Sequence, residues 1–202
     1  DCFSTVSDVT AHECEELMDK KCHAVLPNGF EADFVPKAAE FKRKRKAARE
    51  LILRMANCLT GCEFPEDTLI VGTSGRYEFR NKGIDVFIEA MNRLGRDRNL
   101  NKQVLALVEV PAWVGEPRED LVERLSSNDK FDTPLECPVI THWLNDMSHD
   151  NVTGMMKYHD MWNRPEDKVK LIFVPCYLDG KDGVLNISYY DVIIGKDLSV
   201  YP

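Results

Sequence analysis

Two periods of apolar residues run through the chain. Thr68–Thr73, Gln103–Val110 and Val169–Val174 are short, nearly continuous apolar runs, the pattern of strands buried on both faces. Other stretches repeat at helical spacing. Ile84, Phe87, Ile88 and Met91 share one face of a predicted helix over Gly83–Leu94, and Phe41, Ala48, Leu51, Ile52, Met55 and Leu59 mark a longer one. The opposite face of that longer helix is basic, with Lys42, Arg43, Lys44, Arg45, Lys46 and Arg49, and reads as solvated. Arg118–Leu125, Asn151–Trp162 and Ser188–Ile194 are predicted helices, and Pro138–Thr141 and Leu198–Tyr201 predicted strand starts. Near the N-terminus, Phe3–Val9 reads as a strand and Ala11–Lys20 as a helix with Thr10 as its N-cap. The apolar run His23–Leu26 then stops at Pro27-Asn28-Gly29, a strong turn signal.

Strands alternating with helices imply an α/β fold, a Rossmann-like and mainly parallel sheet flanked by helices. The turn at residues 27–29 is the best boundary. It makes 1–28 the tail of one domain and 29–202 most of another.

Composition narrows the function. The 202 residues are 44% hydrophobic and 30% charged, ordinary for a globular protein. A net charge of −8 argues against nucleic acid as a general partner, because phosphates attract a surplus of Lys and Arg. No apolar run approaches the roughly 20 residues that cross a bilayer, so no membrane partner is expected. Seven cysteines cannot all pair within one chain. They form no CxxC, and Cys58-x3-Cys62 with His12 and His23 elsewhere is a poor zinc pattern. No metal and no cofactor are expected, and free thiols suit a reducing cytoplasm.

The stretch from Leu69 to Gly83 carries the chemistry. A buried strand enters a turn containing Gly75, and a helix follows. In parallel sheets ligands gather outside the carboxyl ends of the strands. Gly75 lets the backbone approach a ligand, and the helix N-terminus favours phosphate. Arg76 adds a fork of donors and Lys82 a mobile charge. An equally good reading from the residues alone is a surface loop in which Arg76 and Lys82 pair with Glu78 and Asp85. Neither the Walker order nor GxGxxG is present.

Gly75-Arg-Tyr-Glu-Phe-Arg-Asn-Lys-Gly-Ile-Asp-Val-Phe-Ile-Glu-Ala90 closely resembles a signature of the animal and fungal type of glycogen synthase. Thr5–Cys14, Leu26–Phe30, Val139–His142, Asp167–Pro175 and Asp197–Pro202 resemble further segments of that family, in its order. The resemblance covers nearly the whole chain, thinly between residues 95 and 137. It implies a GT-B arrangement of two Rossmann-like domains facing a cleft. Residues 1–28 would end the N-terminal domain and cross between the two, and 29–202 would form an incomplete C-terminal domain.

The activity implied is transfer of glucose from a nucleotide sugar, UDP-glucose or ADP-glucose, to the end of an α-1,4-glucan acceptor with retention. In the family the residues matching Arg76 and Lys82 bind the donor diphosphate, beside Gly75, and the tyrosine matching Tyr189 lies against the nucleobase. Read without the resemblance, Tyr189 is equally a core or rim tyrosine. The glutamates nearest the transferred glucose fall after the match to Pro202, so no catalytic residue is expected here and the 202 residues alone are expected to be inactive. A non-catalytic sugar-nucleotide or glucan-binding module is the alternative from another class, and a different acceptor on the same fold is a third. A homo-oligomer is compatible with all of them.

Overall fold

The computed structural model describes residues 1–29 and 32–200. The chain divides into two compact units, Asp1–Lys37 and Ala38–Pro202. The last residue of the predicted Leu198–Tyr201 strand, that of the Leu26–Phe30 match and the last two of the Asp197–Pro202 match lie outside the described residues.

In the first unit, β1 (Ser4–Thr5) pairs in parallel with β2 (Ala24–Val25), and α1 (Asp8–Met18) lies between them in sequence. The strand expected over Phe3–Val9 is therefore cut short, and Thr10 is not the cap. Ser7 is: its backbone is extended, and its hydroxyl accepts from the Thr10 N–H at 3.1 Å. A serine that satisfies an orphan helix N–H starts the helix earlier than the apolar alternation suggests. Val6 and Val9, which produced that alternation, are exposed. The helix ends at Asp19, in the left-handed region at φ 49°.

The second unit opens with α2 (Ala38–Thr60), followed by β3 (Leu69–Ser74), α3 (Ile84–Gly95), β4 (Val104–Glu109), β5 (Val114–Pro117), α4 (Glu119–Ser126), β6 (His142–Leu144), α5 (Asn151–Tyr158), β7 (Val169–Phe173), α6 (Tyr189–Gly195) and β8 (Leu198–Val200). Four strands form one parallel sheet in the order β7-β4-β3-β8. Successive residues on each strand face opposite sides. Ile70, Leu105, Leu107 and Ile172 pack with Ile52, Met55 and Leu59 of α2. Val71, Ala106, Val108 and Phe173 pack with Ile84, Phe87 and Ile88 of α3. The α/β sheet flanked by helices is as the sequence implies.

Three expectations change. Among the described residues, Pro138–Thr141 makes a single bridge, Ile140 to Phe173; the residues after it become β6, antiparallel to β5. Sequence reading misses β5 because Gly115 and Pro117 are turn signals within it. Helix α5 stops at Tyr158 rather than Trp162, since Asp160 and Asn163 take positive φ (59° and 55°). The Asn163 side chain accepts from the Leu171 N–H at 2.7 Å and donates to the Leu171 carbonyl at 2.8 Å.

The basic face of α2 is the third. Lys42, Arg43 and Lys46 are exposed, but Lys44 pairs with Asp191 at 3.1 Å. Arg45 donates to the Ile194 and Lys196 carbonyls and to Asp197, and Arg49 reaches Asp197 and the Thr68 carbonyl. Half of that face clamps α6 and β8. Gly195 permits the close approach, because a Cβ there would lie 3.0 Å from Ala48 Cβ and Ile52 Cδ1.

Candidate functional site

The sheet order places the site. From β3 the chain moves to β4 and then β7, and it later returns to the other side of β3 as β8. The order therefore reverses between β3 and β8. The crevice outside the carboxyl ends of an open parallel sheet at such a reversal is where ligands are held. The loop that leaves β3 at this point is Gly75–Gly83.

Gly75 has φ 145°, and nothing lies within 4 Å of where its Cβ would stand. A side chain would be strained there, and the open space permits close approach of a ligand. The loop is internally tied. The Lys82 N–H donates to the Glu78 carbonyl at 2.8 Å and the Gly83 N–H to the Arg80 carbonyl at 3.0 Å. The Tyr77 hydroxyl donates to the Asp150 carboxylate and accepts from the Val152 N–H at 3.2 Å. Burial raises the Tyr77 hydroxyl above the ordinary tyrosine value, and the Asp150 carboxylate adds to the shift.

The N-terminus of α3 does not serve as expected. The N–H groups of Ile84 and Asp85 both reach the Phe79 carbonyl, at 3.0 and 3.4 Å, and the Val86 N–H takes Asp85 Oδ1 at 2.9 Å. The backbone donors open to a ligand are in the loop itself. Among the described residues, the N–H groups of Gly75, Arg76 and Tyr77 donate to nothing.

Arg76 is largely exposed and its Nε meets Glu78 Oε1 at 3.0 Å. Exposed pairs contribute little and yield to a stronger acceptor. Lys82 is half-buried, and its ammonium has no partner among the described residues. The loop-internal pairing that the sequence allowed is thus half present: Arg76 to Glu78, without Lys82 to Asp85. Tyr189 opens α6, where Ser188 caps the helix by accepting from the Asp191 N–H at 3.2 Å. Its hydroxyl shares a 2.7 Å hydrogen bond with Ser74 Oγ, at the root of the Gly75 loop. Its N–H donates to the Leu178 carbonyl at 2.8 Å, which joins it to the Pro175–Leu178 turn. Its ring is half-buried.

Two residues beside this site escaped the sequence reading. Glu109 ends β4 opposite Ser74, and it forms an ion pair with Lys196; both are buried. Burial raises the Glu109 carboxyl above its ordinary value, against the pull of the Lys196 ammonium. Gly72 makes room for the pair: a Cβ there would lie 2.9 Å from Lys196 Cδ. Glu109 Oε1 is buried without a hydrogen-bond partner among the described residues. The available signal was an acid closing an apolar strand, which demands a buried cation from elsewhere in the chain.

Open N–H groups, an unpartnered ammonium and a weakly engaged guanidinium suit a diphosphate, and an aromatic face nearby suits a flat base. A family profile described as glycogen synthase matches residues 1–116 and 121–202. The glycogen (starch) synthase of Neurospora crassa is 27% identical over 100% of this chain and 36% of its own length. Isoform 2 of Saccharomyces cerevisiae is 27% identical over 100% of this chain and 37% of its own length. The liver enzyme of Mus musculus is 26% identical over 99% of this chain and 36% of its own length. The chain therefore spans about a third of the length of the curated relatives it matches.

Proposed function

Since the chain belongs to the glycogen synthase family, we propose that it is part of a glucosyltransferase and that its Gly75–Gly83 loop holds the diphosphate of a nucleotide-sugar donor. The whole protein would transfer glucose from UDP-glucose, in preference to ADP-glucose, to the end of an α-1,4-glucan with retention, in the cytoplasm. Residues 1–28 are read as the end of an N-terminal Rossmann-like domain and 29–202 as part of a C-terminal one, following the order of the matched segments.

The observation that carries the proposal is the position of the loop. It lies at the reversal of strand order, the N–H groups of Gly75, Arg76 and Tyr77 donate to nothing among the described residues, and the family match runs through it. As the glycosidic bond breaks, the leaving nucleoside diphosphate gains negative charge. Arg76 and Lys82, placed beside it, stabilise the transition state more than the ground state. Tyr189 would lie against the base, oriented by Ser74 and by the Leu178 carbonyl. The groups that act on the anomeric carbon are not assigned to any residue here.

The test is incorporation of labelled glucose into glycogen by the full-length protein, supplied with UDP-glucose or ADP-glucose, with the anomer formed read by NMR. Transfer from UDP-glucose into α-1,4 linkages is expected. Tight nucleotide binding with no transfer from either donor would instead assign the protein to non-catalytic sugar-nucleotide binding.

A further inference from the structure

The turn that carries the open N–H groups is held through one side chain. The Glu78 N–H donates to the Arg76 carbonyl at 2.8 Å, which closes a three-residue turn with Tyr77 at its centre. Gly75 has no side chain to anchor, and the Arg76 side chain pairs with Glu78, inside the same loop. Among the described residues, the side-chain hydrogen bonds that join residues 75–78 to another element are those of the Tyr77 hydroxyl. It donates to Asp150 Oδ2 and accepts from the Val152 N–H at 3.2 Å. Asp150 lies 73 positions along the chain from Tyr77, so the tie is tertiary. The Tyr77 ring is half-buried and meets Phe173 of β7 edge-on, with centroids 6.1 Å apart.

Asp150 divides its two oxygens. Oδ1 accepts from the Thr153 N–H at 2.7 Å and caps α5, while Oδ2 holds Tyr77. The Val152 N–H is another donor that the start of a helix leaves without an intrahelical partner, and the Tyr77 hydroxyl takes it. The loop and the start of α5 therefore hold each other. Burial raises the Tyr77 hydroxyl above the ordinary tyrosine value, so it stays protonated and remains the donor in this bond through the neutral range. A hydrogen bond to a charged acceptor is also stronger than one between neutral groups.

N–H groups serve a phosphate well only while they keep one arrangement. A turn already in its bound conformation has less freedom to lose when the ligand arrives. Donors that act on a leaving phosphate must be in place before its charge develops. Arg76 is exposed and can adjust to a ligand, whereas the backbone donors around Tyr77 move with it.

We propose that Tyr77 and Asp150 are positioning residues for the donor's diphosphate: the hydrogen bond between them sets the turn from which the Gly75, Arg76 and Tyr77 N–H groups reach it. This rests on the reading of Gly75–Gly83 as the diphosphate-binding loop, and it adds what orders that loop before the donor arrives.

The test separates the tie from the helix cap. Tyr77→Phe keeps the ring and removes the hydroxyl. Asp150→Ser keeps a good N-cap but is too short to hold Tyr77. Asp150→Asn keeps both the cap and an acceptor for the hydroxyl. Each is made in the full-length protein and titrated calorimetrically with UDP and with inorganic pyrophosphate. The urea midpoint, and kcat and KM for glucose transfer from UDP-glucose, are measured alongside. Tyr77→Phe and Asp150→Ser are each expected to weaken UDP and pyrophosphate binding about tenfold and to lower kcat. The double variant should lose no more than either alone, as for two ends of one interaction, and Asp150→Asn should restore most of what Asp150→Ser loses. Asp150→Ser binding both ligands as Asp150→Asn does would assign Asp150 to the α5 cap alone and overturn the proposal. So would wild-type affinity for both ligands in Tyr77→Phe. Arg76→Ala in the same titrations judges the loop itself. A weakened Arg76→Ala beside an unchanged Tyr77→Phe removes the positioning role and leaves the donor loop, whereas wild-type affinity in both removes the donor-loop reading as well.

Discussion

Arg76 and Lys82 leave positive charge underused in a loop whose first three backbone donors, those of Gly75, Arg76 and Tyr77, have no acceptor among the described residues. Both were legible in the sequence because they are local: strand, turn and cations follow one another within fifteen residues of β3. Tyr189 was legible only through family resemblance, because nothing near it in sequence tells of Ser74, its hydrogen-bond partner 115 positions away. Glu109 and Lys196 were invisible for the same reason, being 87 positions apart. The proposed role of Tyr189 separates the base from the phosphates. Tyr189→Ala is expected to weaken UDP binding about tenfold, in line with about 1–3 kcal/mol for stacking one base on an aromatic ring. It should leave inorganic pyrophosphate binding almost unchanged, while Tyr189→Phe keeps most of the UDP affinity. An equal loss for UDP and pyrophosphate, measured calorimetrically, would mean that Tyr189 merely supports the loop.

At the scale of elements, the double-sided strands β3, β4 and β7 and the amphipathic helices α2 and α3 were readable from periodicity alone. The β5–β6 ribbon was not, because its few residues include a glycine and a proline. Its stability is now tied to specific groups. His142 of β6 is buried, with Nδ1 against the Thr141 hydroxyl and Nε2 against the Asp182 carbonyl, each at 2.9 Å. Burial holds its imidazole below the ordinary value, against the opposing pull of Asp182 and Glu116. The unfolded chain takes up a proton near pH 6.5, and the native chain resists until lower pH. The unfolded state therefore binds more protons in that window. The stabilisation is complete above about pH 6.5 and is lost as the pH falls toward the depressed native value. Urea unfolding should show stability declining below about pH 6.5, with a shallower decline in His142→Gln.

The Glu109–Lys196 pair joins β4 to the α6–β8 junction. Lys196→Met strands a buried carboxyl and is expected to destabilise the chain by about 3–5 kcal/mol. Adding Glu109→Leu should restore most of that stability. If the single and double variants unfold at the same urea concentration, the pair is not what holds this junction.

For the whole molecule, α/β character and a parallel sheet followed from the alternation of elements, whereas strand order did not. The position of β8 beside β3 depends on contacts far apart in sequence. Asp197 accepts from the Ile70 N–H at 2.8 Å and binds both Arg45 and Arg49. Burial pushes the Asp197 carboxyl up, but the Ile70 N–H and the two guanidiniums outweigh it and hold the carboxyl below its ordinary value. That anchoring fixes β8 on the far side of β3 and creates the reversal beside the Gly75 loop. The basic face of α2, which reads as solvated in the sequence, is thus in part what positions the candidate site.

The most direct test of the donor-loop assignment is a calorimetric titration of the full-length protein with UDP, repeated for Arg76→Ala and Lys82→Ala. Charge-assisted hydrogen bonds of this kind contribute about 1.5–3 kcal/mol, so each substitution is predicted to weaken UDP binding by roughly ten- to a hundredfold without lowering the urea midpoint. Wild-type affinity for UDP in both variants would contradict the assignment of the Gly75–Gly83 loop to the donor diphosphate.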